Sequence, residues 1–301
     1  MTSLSEPVTA ARRRGRLANP LGVPLRAMRR WPIIPVIVLG TLLFAGAFAP
    51  WVAPHNYREQ DLGLRHAPPA WMKDGTKERL LGADRVGRDL LSRMIYGARL
   101  SIVVASISLI SGAMIGGSLG ILSGYYGGLA DEIIMRAVDV WFAIPFLLLA
   151  LVVVIVFGPS LNVVLSLLAL LSWSGFVRNV RAEALVIRTR DYVAMARIAG
   201  SSNLRIIYKH IAPGVLNTVL VIASLQVGGL ILAEASLSFL GAGIPSPTPA
   251  WGVMVADGRN YLDKAWWEST FPGIAILLAV MSFNFTGDWL RDRMDPRLRQ
   301  I

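Results

Sequence analysis

The 301-residue sequence has no cysteine, only three histidines and few charges for its length. Lack of cysteine excludes disulfide scaffolds, thiol nucleophiles, iron–sulfur clusters and zinc ribbons. His55, His66 and His210 are far apart in the sequence and leave little for a histidine metal site. Charged residues make up 16%, against about a quarter in an ordinary soluble domain. What fills the chain instead is apolar, with 54% hydrophobic residues and a mean hydropathy of +0.54. A water-soluble globule of this size needs more surface charge, so the chain reads as a membrane protein. The net charge of +11 fits a nucleic acid or an anionic membrane face. Because the arginines sit beside apolar runs, the membrane is the better match.

A spanning helix needs about 20 mostly apolar residues. Six stretches qualify, at 31–52, 100–121, 140–157, 161–177, 215–240 and 271–290. Only Gly158, Pro159 and Ser160 separate the third from the fourth, which predicts an antiparallel hairpin. The first run is longer than a signal-peptide core, and Phe48-Ala49-Pro50-Trp51 is a poor cleavage site, so it is expected to be a retained anchor. Six spans put both termini on one side. Nineteen Lys/Arg fall on that side and eleven on the other, nine of them in one long segment balanced by six acids. The positive-inside rule then makes both termini cytoplasmic.

The expected architecture is an all-α polytopic membrane protein with six transmembrane helices. A basic cytoplasmic tail occupies 1–30, a first transmembrane helix 31–53 and an extracytoplasmic loop 54–99. A five-helix core follows at 100–290, interrupted by a cytoplasmic loop at 178–213, and a cytoplasmic tail ends the chain at 291–301. The arginines of the first tail, Arg12 to Arg30, fit an orientation signal attracted to anionic lipid better than a nucleic-acid arm, since no aromatics interleave them.

Within the second span Gly112, Gly116 and Gly120 recur every four residues, extended by Ser108 and Gly124. Small residues at that spacing let another helix approach closely, either within the chain or across a dimer. The same run contains Gly116-Gly117-Ser118-Leu119-Gly120, a match to the G-x-S-x-G pattern of serine hydrolases. That nucleophile needs a strand-to-helix turn and a nearby base, and no histidine lies in any span, so the match is chance.

The 178–213 connection is too long for a turn and too apolar for a linker. Its pattern predicts short amphipathic helices, one of them beginning at Asp191 as N-cap and ending at Gly200 as a left-handed stop. Ser201, Ser202 and Asn203 make a turn, and a basic helix runs from 204 to 211 into Pro213. This compact knob fits docking into a groove of another protein, or a loop lying on lipid. Glu234 is the one ionisable side chain well inside the fifth span. A charge there costs about 2.5–3.5 kcal/mol on insertion scales, so it faces the path as a gate or contact for a peptide amine, or forms a buried hydrogen bond that fixes the bend before Gly241. Trp71, Trp251, Trp266 and Trp267 belong to the two outer loops, where tryptophans serve as membrane anchors or as docking residues. The segment 84–93 is expected to lie as an amphipathic helix across the mouth of a path.

Tyr192-Val193-Ala194-Met195-Ala196-Arg197-Ile198-Ala199-Gly200, followed by Arg205-Ile206-Ile207-Tyr208-Lys209-His210-Ile211-Ala212-Pro213, resembles the EAA loop of ABC importer permeases. The motif's glutamate position holds Ala194, the next Met195, and the leucine before the proline is Ala212, while Gly200 and Pro213 are in place. Leu81-Gly82-Ala83-Asp84-Arg85-Val86-Gly87-Arg88-Asp89 and Glu234-Ala235-Ser236-Leu237-Ser238-Phe239-Leu240-Gly241 are similar to the C-type permease subunit of dipeptide/oligopeptide importers. The resemblance covers about residues 31 to 295.

It implies a type I permease fold in a bacterial or archaeal cell membrane. Implied partners are a second permease subunit forming a heterodimer, two cytosolic ABC ATPases and an extracytoplasmic solute-binding protein. This chain would be no enzyme and hold no cofactor; it has no G-x-x-x-x-G-K-[ST] phosphate loop, and ATP and magnesium would be bound by the ATPases. The resemblance places ATPase coupling at Asp191, Tyr192, Ala194, Ala196, Arg197, Gly200, Ser201 and Pro213, with Arg197 the expected charged contact. Solutes across this branch include dipeptides, longer peptides, glutathione, nickel chelates and oligosaccharides. A stand-alone secondary transporter fits less well, since no internal repeat is evident and the spans are nearly free of charge.

Overall fold

The computed structural model describes residues 32–294, so the N-terminal arginine cluster, Trp31 and the last seven residues lie outside it. Helix α1 (Ile33–Ala47) starts after Pro32, and one further turn, α2 (Ala49–Val52), carries Pro50 in its first turn, where a missing N–H costs nothing. An irregular segment leads to α3 (Leu90–Tyr126), whose 37 residues span about 55 Å. Asp89 caps it by accepting the Ser92 N–H at 2.8 Å, and Gly127 and Gly128 end it. Next come α4 (Gly128–Ala143), α5 (Phe146–Phe157) and α6 (Leu161–Arg188), the last capped by Ser160. The short α7 (Asp191–Ile198) precedes a long rod made of α8 (Asn203–Ile206), a π-turn at Ile207–Ile211 and α9 (Ala212–Phe239). Beyond the far end of that rod, α10 (Trp251–Gly258) leads to α11 (Trp267–Met294). The single β feature among the described residues is an isolated bridge between Ala83 and Asp89.

Four helical stretches are long and apolar enough to cross a membrane: α3, α6, the α8–α9 rod and α11. The third expected span, 140–157, is not one helix. It breaks by 84° between α4 and α5, because Ile144 precedes Pro145 and adopts the extended conformation (φ −90°, ψ 121°) that proline imposes on its predecessor. The six expected passes therefore resolve into four unbroken spans, one bent pair and the shorter apolar α1 of 15 residues. Several helices also outrun their apolar stretches. Backbone hydrogen bonding continues past the point where the side chains turn polar, so α3 begins at Leu90 inside the expected 54–99 loop. Likewise α6 absorbs 178–188 of the expected inner loop, and α11 runs on to Met294.

The closest helix pair is α3 with α6. A methyl group on Gly116 would stand 2.1 Å from the Trp173 carbonyl oxygen, one on Gly112 1.7 Å from Ser172 Oγ, and one on Gly120 2.9 Å from the Val177 oxygen. The glycine row is thus consumed within the chain. Ser172 Oγ donates to the Ser108 carbonyl at 3.1 Å across this seam. At its α7 end, Arg181 of α6 forms a two-pronged pair with Asp131 of α4 (2.5 and 2.6 Å), and Ser123 of α3 donates to the same carboxylate. Val104, Leu168 and Leu237 join α3, α6 and α9 in the central core. Gly116→Val should overpack this seam by about 1–3 kcal/mol. A lower unfolding temperature of the detergent-purified protein is the expected result; an unchanged one would remove the seam from its structural role.

Candidate functional site

The end of the molecule that carries α7 is built from its own core. Val193 is fully buried against Val180, Ala184, Ile206 and Ile211, which fixes one face of α7 on α6 and the rod. Arg188 Nη1 donates to the Gly124 and Tyr125 carbonyls at the end of α3 (3.3 and 3.0 Å), and Tyr125 OH donates to Asn203 Oδ1 at 2.9 Å. Three membrane helices therefore hold the knob's base.

The knob ends in a Schellman turn. Gly200 has φ +75°, the Ser201 N–H reaches the Ala196 carbonyl at 3.0 Å, and the Gly200 N–H reaches that of Arg197 at 3.1 Å. Nothing stands within 4 Å of a Cβ at Gly200, so the requirement for glycine there is conformational. Asp191 does not cap α7. It is the helix's first residue, and Arg190 holds the N-cap position without a side-chain bond; an acid in the first turn still complements the helix dipole. The expected basic helix into Pro213 continues directly into α9. The π-turn places the Ala212 N–H on the Ile207 carbonyl, so Pro213 enters the first turn of α9 where its missing donor is tolerated.

The outward surface of the knob holds Tyr192, Ala194, Met195, Arg197 and Ile198 from α7, then Leu204, Arg205, Tyr208, Lys209 and Pro213 from the rod. Ile198 is 87% exposed, Tyr208 80% and Leu204 75%. Arg197 was the residue that sequence singled out; the apolar patch of Met195, Ile198, Leu204 and Tyr208 was missed, although Met195 and Ile198 stand three apart on one helix. Leu204 and Tyr208 stand four apart on the rod, so each element presents an exposed apolar pair.

At the opposite end, residues 54–89, α10 and the start of α11 fold into a polar lobe. Asp84 is the hub. Its Oδ1 accepts the Val86 and Arg88 backbone N–H groups, each at 3.0 Å, and its Oδ2 takes Arg88 Nε at 2.7 Å and Arg93 Nη1 at 2.8 Å. Arg85 and Arg88 also reach Asp257 on α10, at 3.4 and 3.9 Å. This is not the expected amphipathic helix over 84–93: the first six residues turn tightly around the Asp84 carboxylate, and only 90–93 are helical. Trp251 and Trp267 are not anchors in lipid. They are 2% and 4% exposed and donate to the Met94 and Ala83 carbonyls (3.0 and 3.4 Å), whereas Trp71 and Trp266 remain exposed. His66 Nδ1 lies 2.5 Å from Glu268 Oε1.

Glu234 is buried in α9 beneath this lobe. Ser238 Oγ donates to its Oε1 at 2.7 Å, and Oε2 has no hydrogen-bond partner among the described residues. Among the described residues no group of three His, Asp or Glu side chains is placed to hold a metal ion.

The chain belongs to the family of binding-protein-dependent transport system inner membrane components, whose model matches residues 116–300. It is 46% identical over 268 residues to the dipeptide transport system permease protein DppC of Escherichia coli K12, covering 89% of each chain. To the di/tripeptide transport system permease protein DppC of Pseudomonas aeruginosa it is 41% identical over 258 residues, covering 86% of this chain and 85% of the relative. Its fold is similar to a chain of the MetNI methionine ABC transporter in inward-facing conformations, with a TM-score of 0.56 and 18% identity over 68% of this chain and 98% of that one.

Asp84→Asn should leave buried Arg93 without its paired carboxylate and Arg88 with only the longer contact to Asp257, and cost about 3–5 kcal/mol. Limited proteolysis of intact protein should then cut within 54–89 while the spans stay protected. Wild-type resistance in this variant would show that the lobe does not depend on the carboxylate.

Proposed function

We propose that this chain is the permease subunit of an ATP-driven importer of dipeptides and short oligopeptides, forming half of the translocation path with a second permease. The observation that carries the coupling role is the knob, a short rigid helix that leaves Met195, Ile198, Leu204 and Tyr208 uncovered where a partner's groove would seat them. The named peptide permeases at 41–46% identity support the solute class. In this reading α7 docks on a cytosolic ATPase, with Arg197 as the charged contact, and a solute-binding protein docks on the polar lobe at the other end. Both termini then lie on the cytoplasmic side of a bacterial or archaeal cell membrane. The chain itself carries no catalytic residue and no cofactor; ATP and magnesium belong to the ATPase partners.

The mechanical argument follows from the packing. Val193 binds α7 to α6 and to the rod, so a push on the knob moves both attached helices rather than bending a loop. Packed interfaces switch between discrete arrangements, which gives alternating access. Reconstituted with its partner permease, two ATPases and the matching binding protein, the chain should accumulate labelled dipeptide in vesicles only when ATP is supplied. Gly200→Val should remain membrane-inserted yet lose most ATP-coupled uptake, because a β-branched residue resists φ +75°. Uphill pumping by this chain alone would overturn the assignment.

Glu234 serves, in this reading, as a hydrogen-bond acceptor that fixes the outer end of α9 through Ser238. Glu234→Gln keeps an acceptor at that position and should retain uptake within about twofold. Abolished uptake with normal assembly would instead make the residue part of the path or its gate.

A further inference from the structure

We propose that the chain binds the phosphate of an anionic phospholipid headgroup in a groove at the membrane surface remote from the knob. The groove lies where α2 and the start of α3 meet, has a volume of 640 Å³, and is lined on its polar side by His55, Asn56, Tyr57, Arg58, Tyr96 and Arg99. No carboxylate is among its lining residues.

Its depth is set by the helices around it. Gly46 brings α1 so close to α3 that a methyl there would stand 3.0 Å from the Arg99 backbone nitrogen. The Arg99 side chain therefore leaves α3 at the level of the last turn of α1. The outward face of α1 is apolar, with Ile33, Ile37 and Phe44 all more than half exposed, and it ends at Trp51, 79% exposed. Tryptophan at the end of an apolar run marks the headgroup level. The groove thus opens at the boundary between acyl chains and headgroups, on the side where α3 begins.

The cations of the groove are positioned but not neutralised. Arg58 Nε donates to Tyr57 OH at 2.9 Å, with its guanidinium over that ring at 5.2 Å, and Tyr57 in turn packs on Tyr96 with centroids 4.4 Å apart. This stack orients the exposed Arg58 guanidinium at the groove. Among the described residues neither Arg58 nor Arg99 has a carboxylate partner. His55 is tethered by its backbone N–H to Ser92 Oγ at 3.0 Å, while its Nδ1 is buried without a hydrogen bond, 3.7 Å from Asp89 Oδ2. Asp89 is fully buried behind it and accepts the Ser92 N–H on the same Oδ2, so the nearest carboxylate faces His55, and it is not among the residues lining the groove. Two guanidinium forks with tyrosine hydroxyls beside them match the oxygens of a phosphodiester, which arginine binds in bidentate fashion. A soluble phosphate offers the same oxygens; the lipid is favoured by the apolar, tryptophan-flanked setting of the groove.

The test uses the assembled transporter with all its subunits, in nanodiscs of phosphatidylcholine mixed with phosphatidylglycerol, read by native mass spectrometry of retained lipid. Wild type should retain phosphatidylglycerol in preference to phosphatidylcholine. Arg58→Gln and Arg99→Gln should each reduce that preference by about fivefold, with subunit stoichiometry unchanged. Inorganic phosphate in excess should not displace the lipid. Equal retention of the two lipids by wild type would overturn the proposal. So would displacement by phosphate, which makes this a soluble-anion site, or loss of a subunit from the arginine variants, which makes the groove a protein interface.

Discussion

The backbone contact between α3 and α6 along Gly112, Gly116 and Gly120 is what the rest of the molecule is built on. In lipid no hydrophobic force drives two apolar helices together, so close packing over small residues and a few polar clasps must supply the attraction. Here both occur on one seam: glycines where the backbones touch, and the Ser123–Asp131–Arg181 cluster at its α7 end. Because α6 is the helix from which α7 hangs, the precision of that seam is passed to the knob. Arg188, reaching from the last turn of α6 to the carbonyls that end α3, locks the two together where load would arrive.

The two ends of the molecule solve different problems. At the knob end, apolar side chains are left uncovered on a rigid base. At the other end, charges are gathered inward around Asp84 and large aromatics are buried as pegs, which makes a self-sufficient lobe. Glu234 sits at the junction of lobe and spans, with one carboxylate oxygen bonded to Ser238 and the other unpartnered.

Features set by a single residue's backbone preference were legible in the sequence. Gly200 after an apolar-periodic stretch implies a left-handed stop, and the Schellman turn is there. Apolar run length located the long spans, since it measures bilayer thickness; it misjudged where helices end, because helical hydrogen bonding does not stop where the membrane does. The break at Ile144-Pro145 had a signal in the residue before proline, hidden by counting an apolar run as one helix. The link from the Asp84 hub to α10 was illegible for another reason. Asp257 lies far along the chain from Arg85 and Arg88, and sequence spacing says nothing of such a meeting. Nor does composition separate an exposed tryptophan such as Trp71 from a buried peg such as Trp251.

The 84° bend between α4 and α5 divides one expected pass into two short helices. With twelve residues, α5 covers about 18 Å, well short of a hydrocarbon layer about 30 Å thick. Its Ile155, Val156 and Phe157 face outward, so the shortfall is met by local thinning of the bilayer or by an adjoining protein surface. The bend therefore trades membrane-spanning length for a short apolar helix whose exposed end has to be matched from outside the chain.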